Sequence, residues 1–383
     1  MSSTPKSIYK YFYILALVFL IAYVYIVATT HAPSAGWALL LFFVSLAVAF
    51  KSSKTLSGMA FTMIIFGTSA LALYHPEYFI QVGDYKLSGL ITPLIQLIMF
   101  GMGTSMSLKD FSGVIKTPKG VLIGVCSQFM IMPLVGFTLA SVSGSFSASL
   151  TPEILAGVIL IGCSPSGMAS NVMSYLAKAN LALSITITAV TTLLAPFVTP
   201  FLMKVLAGSM VEIDVYAMMW DIFKMIIIPI GAGLIFNKLF SGKIKWLDNA
   251  MPLVSMFGIA LILTIITASG RDSLLTIGPI LIVIVLIHNS FGYTLGYWTG
   301  RLFKMPESDC RTIAIEVGMQ NAGLASGIAK EMGKLATLGL AAAVFGPIMN
   351  ITGSILASYW HGRLPEGYKS ESDNAEDIEV KSH

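Results

Sequence analysis

The chain has 383 residues, of which 56% are hydrophobic and only 11% are charged, and its formal net charge is +4. Soluble domains carry about 25% charged residues, so this composition argues against a water-soluble enzyme, a disordered chain or a disulfide scaffold. The small net charge gives a nucleic-acid partner no electrostatic support. We therefore expect an all-α polytopic membrane protein embedded in a lipid bilayer.

Apolar runs predict twelve membrane-spanning helices, because a helix needs about 20 apolar residues to cross the hydrocarbon layer. The runs lie, in chain order, at 9–30, 36–50, 57–74, 89–108, 118–142, 152–177, 180–206, 215–237, 251–269, 274–300, 309–332 and 336–360. The first run is longer than a signal-peptide core and precedes no small-residue cleavage site, so we expect it to be retained. The second is short enough to lie at the membrane interface or against a neighbouring helix.

The basic residues predict the orientation of the chain. Most of the 23 lysines and arginines fall in loops on the side that also holds both ends. Positive loops stay in the cytoplasm, so we expect a multi-pass protein of the plasma (inner) membrane with both termini cytoplasmic. Residues 1–56 are predicted to form an N-terminal helical hairpin. Residues 363–383 are acidic and lack apolar periodicity, which predicts a disordered cytoplasmic tail.

Two of the spans are interrupted near their centres. One reads I-G-C-S-P-S-G-M-A-S-N around Pro165, and the other reads I-E-V-G-M-Q-N-A-G from Ile315. Glycine and other small residues in membrane helices commonly serve close packing alone. However, the second interruption contains Glu316, and an intramembrane carboxylate costs at least about 2.5–3.5 kcal/mol. We therefore expect a functional site centred on Glu316.

The two interruptions hold matching places in the chain. Without the hairpin, ten helices remain, and the interruptions fall in the fourth and the ninth. Because five is an odd number, a second copy of a five-helix unit must cross the membrane in the opposite direction. Interrupted helices at corresponding positions of inverted halves indicate a transporter site. We predict a ten-helix core, 57–362, made of inverted repeats at about 57–207 and 215–362.

Each interruption offers groups for two kinds of ligand. New half-helices beginning near Ala169–Asn171 and Asn321–Gly323 present N–H groups and a positive dipole end, which favour a small anion such as a carboxylate. Oxygen donors with a single negative charge favour a hard monovalent cation such as sodium over divalent ions or zinc. These donors are Glu316, Gln128, Gln320, Asn171, Ser170, Ser184, Thr188 and the carbonyls from Val317 to Met319.

Four motifs resemble those of the bile acid:sodium symporter family, in its bacterial type. They are G-C-S-P-S-G-M-A-S-N-V-M-S-Y-L-A at 162–177, L-S-I-T-I-T-A-V-T-T-L-L-A-P at 183–196, I-H-N-S-F-G-Y at 287–293 and E-V-G-M-Q-N-A-G-L-A at 316–325. The resemblance covers roughly residues 57–362. It implies a panel domain and a core domain, with the broken fourth and ninth helices crossing beside two sodium ions.

The resemblance also implies ligand sets, carried over position by position. The first sodium site would comprise Ser170, Asn171, Ser184, Thr188 and Glu316. The second would comprise Gln128, Glu316, Gln320 and the backbone carbonyls of Val317 and Met319. Predicted substrate-binding residues are Met168, Ala169, Asn289, Asn321 and Asn350. Members can carry threonine at the position of Met168, and bacterial relatives can carry histidine-asparagine where this chain has Met349-Asn350, so the substrate is expected to differ.

These patterns favour a sodium-coupled secondary active transporter of a small or amphipathic organic anion, working by alternating access. A bile acid, pantoate or another carboxylate would fit, with Na⁺ as the coupling ion and no resident cofactor. The alternative is a cation-independent facilitator or channel for organic anions. An enzyme is disfavoured because no paired carboxylates, zinc motif or serine–histidine pair is recognisable. The sequence leaves the oligomeric state open, and a monomer is compatible with it.

Overall fold

The computed structural model describes residues 6–30, 32–53, 56–106, 118–147, 149–240 and 245–365. The helices within these ranges are α1 Lys6–Thr29, α2 Ala35–Phe50, α3 Ala60–Tyr74, α4 Glu77–Ile80, α5 Ile91–Ser105, α6 Pro118–Phe146, α7 Pro152–Cys163, α8 Ala169–Leu176, α9 Leu181–Ala207, α10 Val215–Phe240, α11 Lys245–Ser269, α12 Arg271–Leu302, α13 Glu307–Gly318, α14 Ala322–Glu331 and α15 Leu340–His361. The predicted tail lies outside the described residues from position 366 onward.

Long apolar helices dominate the described residues and make the chain a multi-pass membrane protein. Within the described ranges, eight helices or helical segments are long and apolar enough to cross a membrane, and α2, α3 and α7 are shorter apolar helices. The two interrupted spans are each built from two short helices, α7 with α8 and α13 with α14. A helix rises 1.5 Å per residue, so each of these four reaches roughly half the hydrocarbon layer. Each of the twelve predicted apolar segments corresponds to at least one observed helix.

The first half of each broken span, α7 and α13, lies in the interior of the helix bundle. Every residue of α7 from Ile154 to Cys163 is buried, and so is every residue of α13 from Cys310 to Gly318. The α7 helix is apolar on all sides after its first turn, which is typical of such a surrounded position, whereas α13 also buries polar residues. By contrast, only 6% of the apolar window of α1 is buried inside the protein.

The helices pack in a pattern that places the broken spans between their neighbours. The α5 helix packs against α10 and α11, and α3 packs against α11. The α12 helix packs along α13, and α6 packs against α7, α9, α12 and α13. The N-terminal helices α1 and α2 pack against each other, and α2 joins them to the rest of the protein by packing on α3. A short β-hairpin, β1 Gln81–Val82 with β2 Tyr85–Lys86, joins α4 to the segment before α5.

Charged side chains pair at opposite ends of the α13–α14 span. Glu307, at the start of α13, accepts a 2.9 Å hydrogen bond from Arg311 and lies 3.4 Å from Arg301. Lys334, which follows α14, pairs with Glu153 in the first turn of α7. Arg301 and Arg311 thus share one end of this span, and Lys334 lies at the other. Which end faces the cytoplasm stays a prediction from the charge bias.

Candidate functional site

The two interruptions pair with each other through backbone hydrogen bonds. The Gly167 N–H donates to the Met319 carbonyl at 2.9 Å, and the Asn321 N–H donates to the Pro165 carbonyl at 2.9 Å. Ser166 and Gln320 thereby form an isolated antiparallel bridge. Backbone groups freed by a helix break must find partners where water is absent. The breaks provide these partners for each other, which brings the four half-helix ends to one point.

Gly167 makes this close approach possible. A Cβ atom at this position would lie 2.6 Å from the Gln320 carbonyl oxygen and 3.1 Å from its carbonyl carbon. Real Cβ atoms do not approach backbone atoms so closely, so any other residue would push the two breaks apart. The S-P-S-G motif therefore combines a proline, which lacks the N–H of a helical hydrogen bond, with a glycine that allows the backbone of the other broken span to approach.

The α8 half-helix is held at its other end by side chains from α13 and α15. Arg311 is buried, and its Nη1 donates to the carbonyls of Ala177 at 3.2 Å and Trp360 at 3.3 Å. The Nδ1 atom of His361 lies 2.8 Å from the Leu176 carbonyl. The last carbonyls of a helix lack intrahelical partners, and these contacts supply them. Polar groups at both ends thus fix the position of α8.

Glu316 is fully buried at the end of α13 and is surrounded by hydroxyl groups. The hydroxyl of Ser170 donates to its Oε1 atom at 2.6 Å, and that of Thr188 donates to its Oε2 atom at 2.8 Å. Ser184 donates to the same carboxylate. The Asn171 Oδ1 atom lies 2.9 Å from the Ser184 hydroxyl and 3.3 Å from the Thr188 hydroxyl. All five residues predicted for the first sodium site therefore form one cluster.

The number of hydrogens in this cluster makes it suited to a cation. Ser170, Ser184 and Thr188 each carry a single hydroxyl hydrogen. All three hydroxyls face the Glu316 carboxylate, and those of Ser184 and Thr188 also face the Asn171 Oδ1 atom. The cluster therefore holds more oxygen lone pairs than hydrogens. A hard monovalent cation is the natural partner for such a set of oxygens, since one carboxylate matches its single charge. No group of three or more His, Cys, Asp or Glu residues suited to a metal ion occurs in the described part of the chain.

The residues predicted for the second sodium site also lie together, but their amide hydrogens are directed inward. The Gln128 Nε2 atom donates to Gln320 Oε1 at 2.7 Å and to the Ser164 carbonyl at 2.9 Å. Gln320 Nε2 donates to the Val317 carbonyl at 2.6 Å. The Met319 carbonyl accepts the backbone hydrogen bond from the Gly167 N–H of the other break. A cation at this place would require the two amides to rotate their oxygens toward it.

The five residues predicted to bind substrate fall into two groups. Met168 and Ala169 lie at the start of α8, and Asn321 precedes α14, where its Oδ1 accepts the Leu324 N–H at 3.0 Å and caps the helix. All three are partly exposed, as is Asn350 on α15. Asn289, in contrast, is fully buried.

Asn289 supports the second break. Its Nδ2 atom donates to the Gly318 carbonyl at 2.8 Å, and its Oδ1 atom accepts the Thr352 hydroxyl at 2.6 Å. Both polar atoms of the amide are engaged by protein groups. Asn289 therefore holds the end of α13 against α12 and α15.

Sequence reasoning missed three hydroxyl groups around the breaks. Ser166 donates to the backbone carbonyl of Glu316 at 2.6 Å, and Thr199 donates to the Cys163 carbonyl at 2.7 Å. The hydroxyl of Ser174 lies 3.1 Å from that of Ser184. Ser174 could have been found from its spacing, because it follows Ser170 by four residues and residues four apart share a helix face.

The two half-helices differ in how far they are covered. The α14 helix packs against α5, α10 and α11, and its residues Ala325 and Ile328 are each only 1% exposed. The α8 helix packs against α9, α13 and α15, while its Val172 and Tyr175 are more than half exposed. The α14 half-helix is therefore enclosed by other helices, whereas α8 has one uncovered face.

Comparison with known proteins gives consistent matches. The family model of the sodium bile acid symporter family matches residues 92–277. An uncharacterized sodium-dependent transporter of Bacillus subtilis, YocS, is 38% identical over 309 residues, covering 80% of this chain and 92% of that protein. The rabbit ileal sodium/bile acid cotransporter is 33% identical over 287 residues, covering 72% of this chain and 79% of that protein.

A plant protein extends the comparison. The probable chloroplastic sodium/metabolite cotransporter BASS1 of Arabidopsis thaliana is 30% identical over 273 residues, covering 71% of this chain and 67% of that protein. Bacterial, animal and plant transport proteins thus share most of their length with this chain, and none of the three is named as an enzyme. The chain belongs to the sodium bile acid symporter family and is a membrane transport protein.

Proposed function

We propose that the chain is a sodium-coupled symporter of a small or amphipathic organic anion. The observation that carries the proposal is the Glu316 cluster, in which three hydroxyls and an amide oxygen surround one buried carboxylate. Sodium at this place would balance a charge that is otherwise costly inside a membrane. The names of the bacterial, animal and plant relatives all refer to sodium.

The proposed architecture is a ten-helix core of two inverted five-helix repeats. The first repeat would contain α3, α5, α6, the α7–α8 span and α9, and the second would contain α10, α11, α12, the α13–α14 span and α15. The broken span is the fourth member of each series, which supports the assignment. We assign α3, α5, α10 and α11 to the panel domain and the remaining helices of residues 57–362 to the core domain.

The substrate would bind where the α8 and α14 half-helices begin. Both helices direct their N-terminal ends toward the crossing, and such ends favour a carboxylate. Met168, Ala169, Asn321 and Asn350 are the partly exposed residues of the predicted substrate set. A bile acid, pantoate or another carboxylate fits this description.

Sodium binding would prepare the site for the anion. A cation bound beside Glu316 would neutralise the carboxylate and fix the half-helices, and both effects favour a second, negatively charged ligand. Two sodium ions carried with a monovalent anion would move net positive charge inward. Transport would therefore respond to the membrane potential as well as to the sodium gradient.

The different exposure of the two half-helices supports an inward-open state. With both termini cytoplasmic in the plasma membrane, α8 would face the cytoplasm and α14 would face the outside. The covered α14 helix then closes the outer path, where Thr92 on α5 donates to Glu331 at 2.6 Å. Alternating access would require this contact to open and α8 to become covered.

The proposal is tested by the effect of sodium on thermal stability, because a ligand that binds only the native state raises its melting temperature. Melting in sodium, potassium and choline chloride at equal ionic strength is expected to be highest in sodium. A screen of carboxylates in sodium and in potassium would then identify the anion. A cation-independent facilitator would respond to the anion equally in both salts.

A further inference from the structure

Ser174 lies beside the Glu316 cluster but outside the ligand sets that the family resemblance implies. It is fully buried, and its hydroxyl lies 3.1 Å from that of Ser184. It follows Ser170 by four residues, so both side chains project from the same face of α8. Ser174 therefore extends the cluster by one hydroxyl, on the side away from the start of the half-helix.

The hydrogen of Ser184 has three possible acceptors. They are the Glu316 carboxylate, the Asn171 Oδ1 atom at 2.9 Å and the Ser174 oxygen. A hydroxyl that binds a cation does so through an oxygen lone pair, so its hydrogen must be directed away from the cation. Glu316 and Asn171 would themselves contribute oxygens to the cation. Ser174 is the acceptor among the three that is free of this role.

We propose that Ser174 is a positioning residue for the sodium site, because it accepts the Ser184 hydrogen and thereby turns a Ser184 lone pair toward the cation. The inference rests on the proposed function. A hydroxyl that donates a hydrogen bond becomes a stronger electron donor itself, so the Ser174 contact also strengthens Ser184 as a ligand. Ser174 acts on sodium affinity through Ser184 and makes no contribution to anion binding.

A serine in the other half-helix supplies a matched comparison. Ser326 on α14 is also fully buried, and its hydroxyl donates to the Ala322 carbonyl of its own helix at 2.7 Å. Such a bond to the preceding turn is the common state of a serine in a membrane helix. Ser174 contacts a hydroxyl of a different helix, and that hydroxyl touches Glu316.

The experiment compares Ser174→Ala with Ser326→Ala in the full-length protein. Melting temperatures are measured as sodium chloride replaces potassium chloride at constant ionic strength. Removing one neutral hydrogen bond is expected to raise the half-saturating sodium concentration of Ser174→Ala by about fivefold. Its melting temperature in potassium should stay near that of the parent, and Ser326→Ala should keep the sodium dependence of the parent. Anion affinity at saturating sodium should not change in either variant.

Three results would count against these assignments in different ways. A Ser174→Ala variant with the half-saturating sodium concentration of the parent overturns the inference and leaves the sodium site intact. A variant that loses stability equally in potassium and in sodium assigns Ser174 to packing and overturns it as well. If the parent itself does not respond to sodium, the proposed function has failed, and the inference fails with it.

Discussion

Replacing Glu316 with glutamine tests the part of the site on which sodium coupling depends. The substitution keeps the size of the side chain and one carbonyl oxygen, but it removes the negative charge. Burying a carboxylate is costly, and three hydroxyl donors offset that cost only in part. In potassium we therefore expect the melting temperature of Glu316→Gln to equal or exceed that of the parent. In sodium the order should be reversed.

The size of the effect follows from the unit charge that the substitution removes. Two unit charges about 4 Å apart interact by about 4 kcal/mol at an effective dielectric constant of about 20. Each 1.4 kcal/mol corresponds to about tenfold in affinity, so loss of this interaction weakens sodium binding by about a thousandfold. A parent protein in sodium at about one hundred times its dissociation constant gains about 2.7 kcal/mol of stability. The same concentration would stabilise the variant by only about 0.1 kcal/mol.

The assay is a melting curve of each protein in sodium, potassium and choline chloride at equal ionic strength. Glu77→Gln is the matched control, because Glu77 is an exposed carboxylate on α4, remote from the crossing. The control should keep the full sodium response of the parent. A Glu316→Gln protein with a sodium response as large as that of the parent would refute the assignment of this carboxylate to a cation site.

Two further substitutions and one deletion address the crossing, the substrate pocket and the hairpin. Gly167→Ala places a Cβ 2.6 Å from the Gln320 carbonyl, so we expect lower stability in every salt and a weakened sodium response in melting curves. Met168→Thr adds a hydroxyl beside the start of α8 and should shift preference toward hydroxylated carboxylates, by at most about a hundredfold in affinity measured by calorimetry. Deleting residues 1–54 should lower stability but preserve sodium and anion binding in the same assays, since every predicted ligand lies later in the chain.

The positions of the breaks could be predicted because local chemistry determines them. Pro165 stands beside a glycine and several polar residues, unlike the proline inside α10, and Glu316 is a carboxylate in an apolar run, where its burial is costly. The prediction of half-helices starting near Ala169 and Asn321 agrees with α8 and α14 as observed. Apolar length predicted the remaining long helices in the same way, with ends that differ by up to about six residues.

The contacts between the breaks could not be predicted, because they depend on which segments meet in three dimensions. The two backbone bonds that join Gly167 to Met319 and Asn321 to Pro165 follow no sequence pattern. The role of Asn289 was also open, since an amide can face a pocket or a backbone carbonyl with equal ease. Its bond to Gly318 depends on how α12 packs along α13.

Sodium-driven accumulation in proteoliposomes tests the central claim most directly. Vesicles containing the full-length protein receive a labelled carboxylate that the stability screen has identified, with an inward gradient of either sodium or potassium. We predict accumulation above the outside concentration in sodium, increased by an inside-negative potential and absent in potassium. Equal uptake under both gradients, levelling off at the outside concentration, would contradict symport and identify the chain as a facilitator.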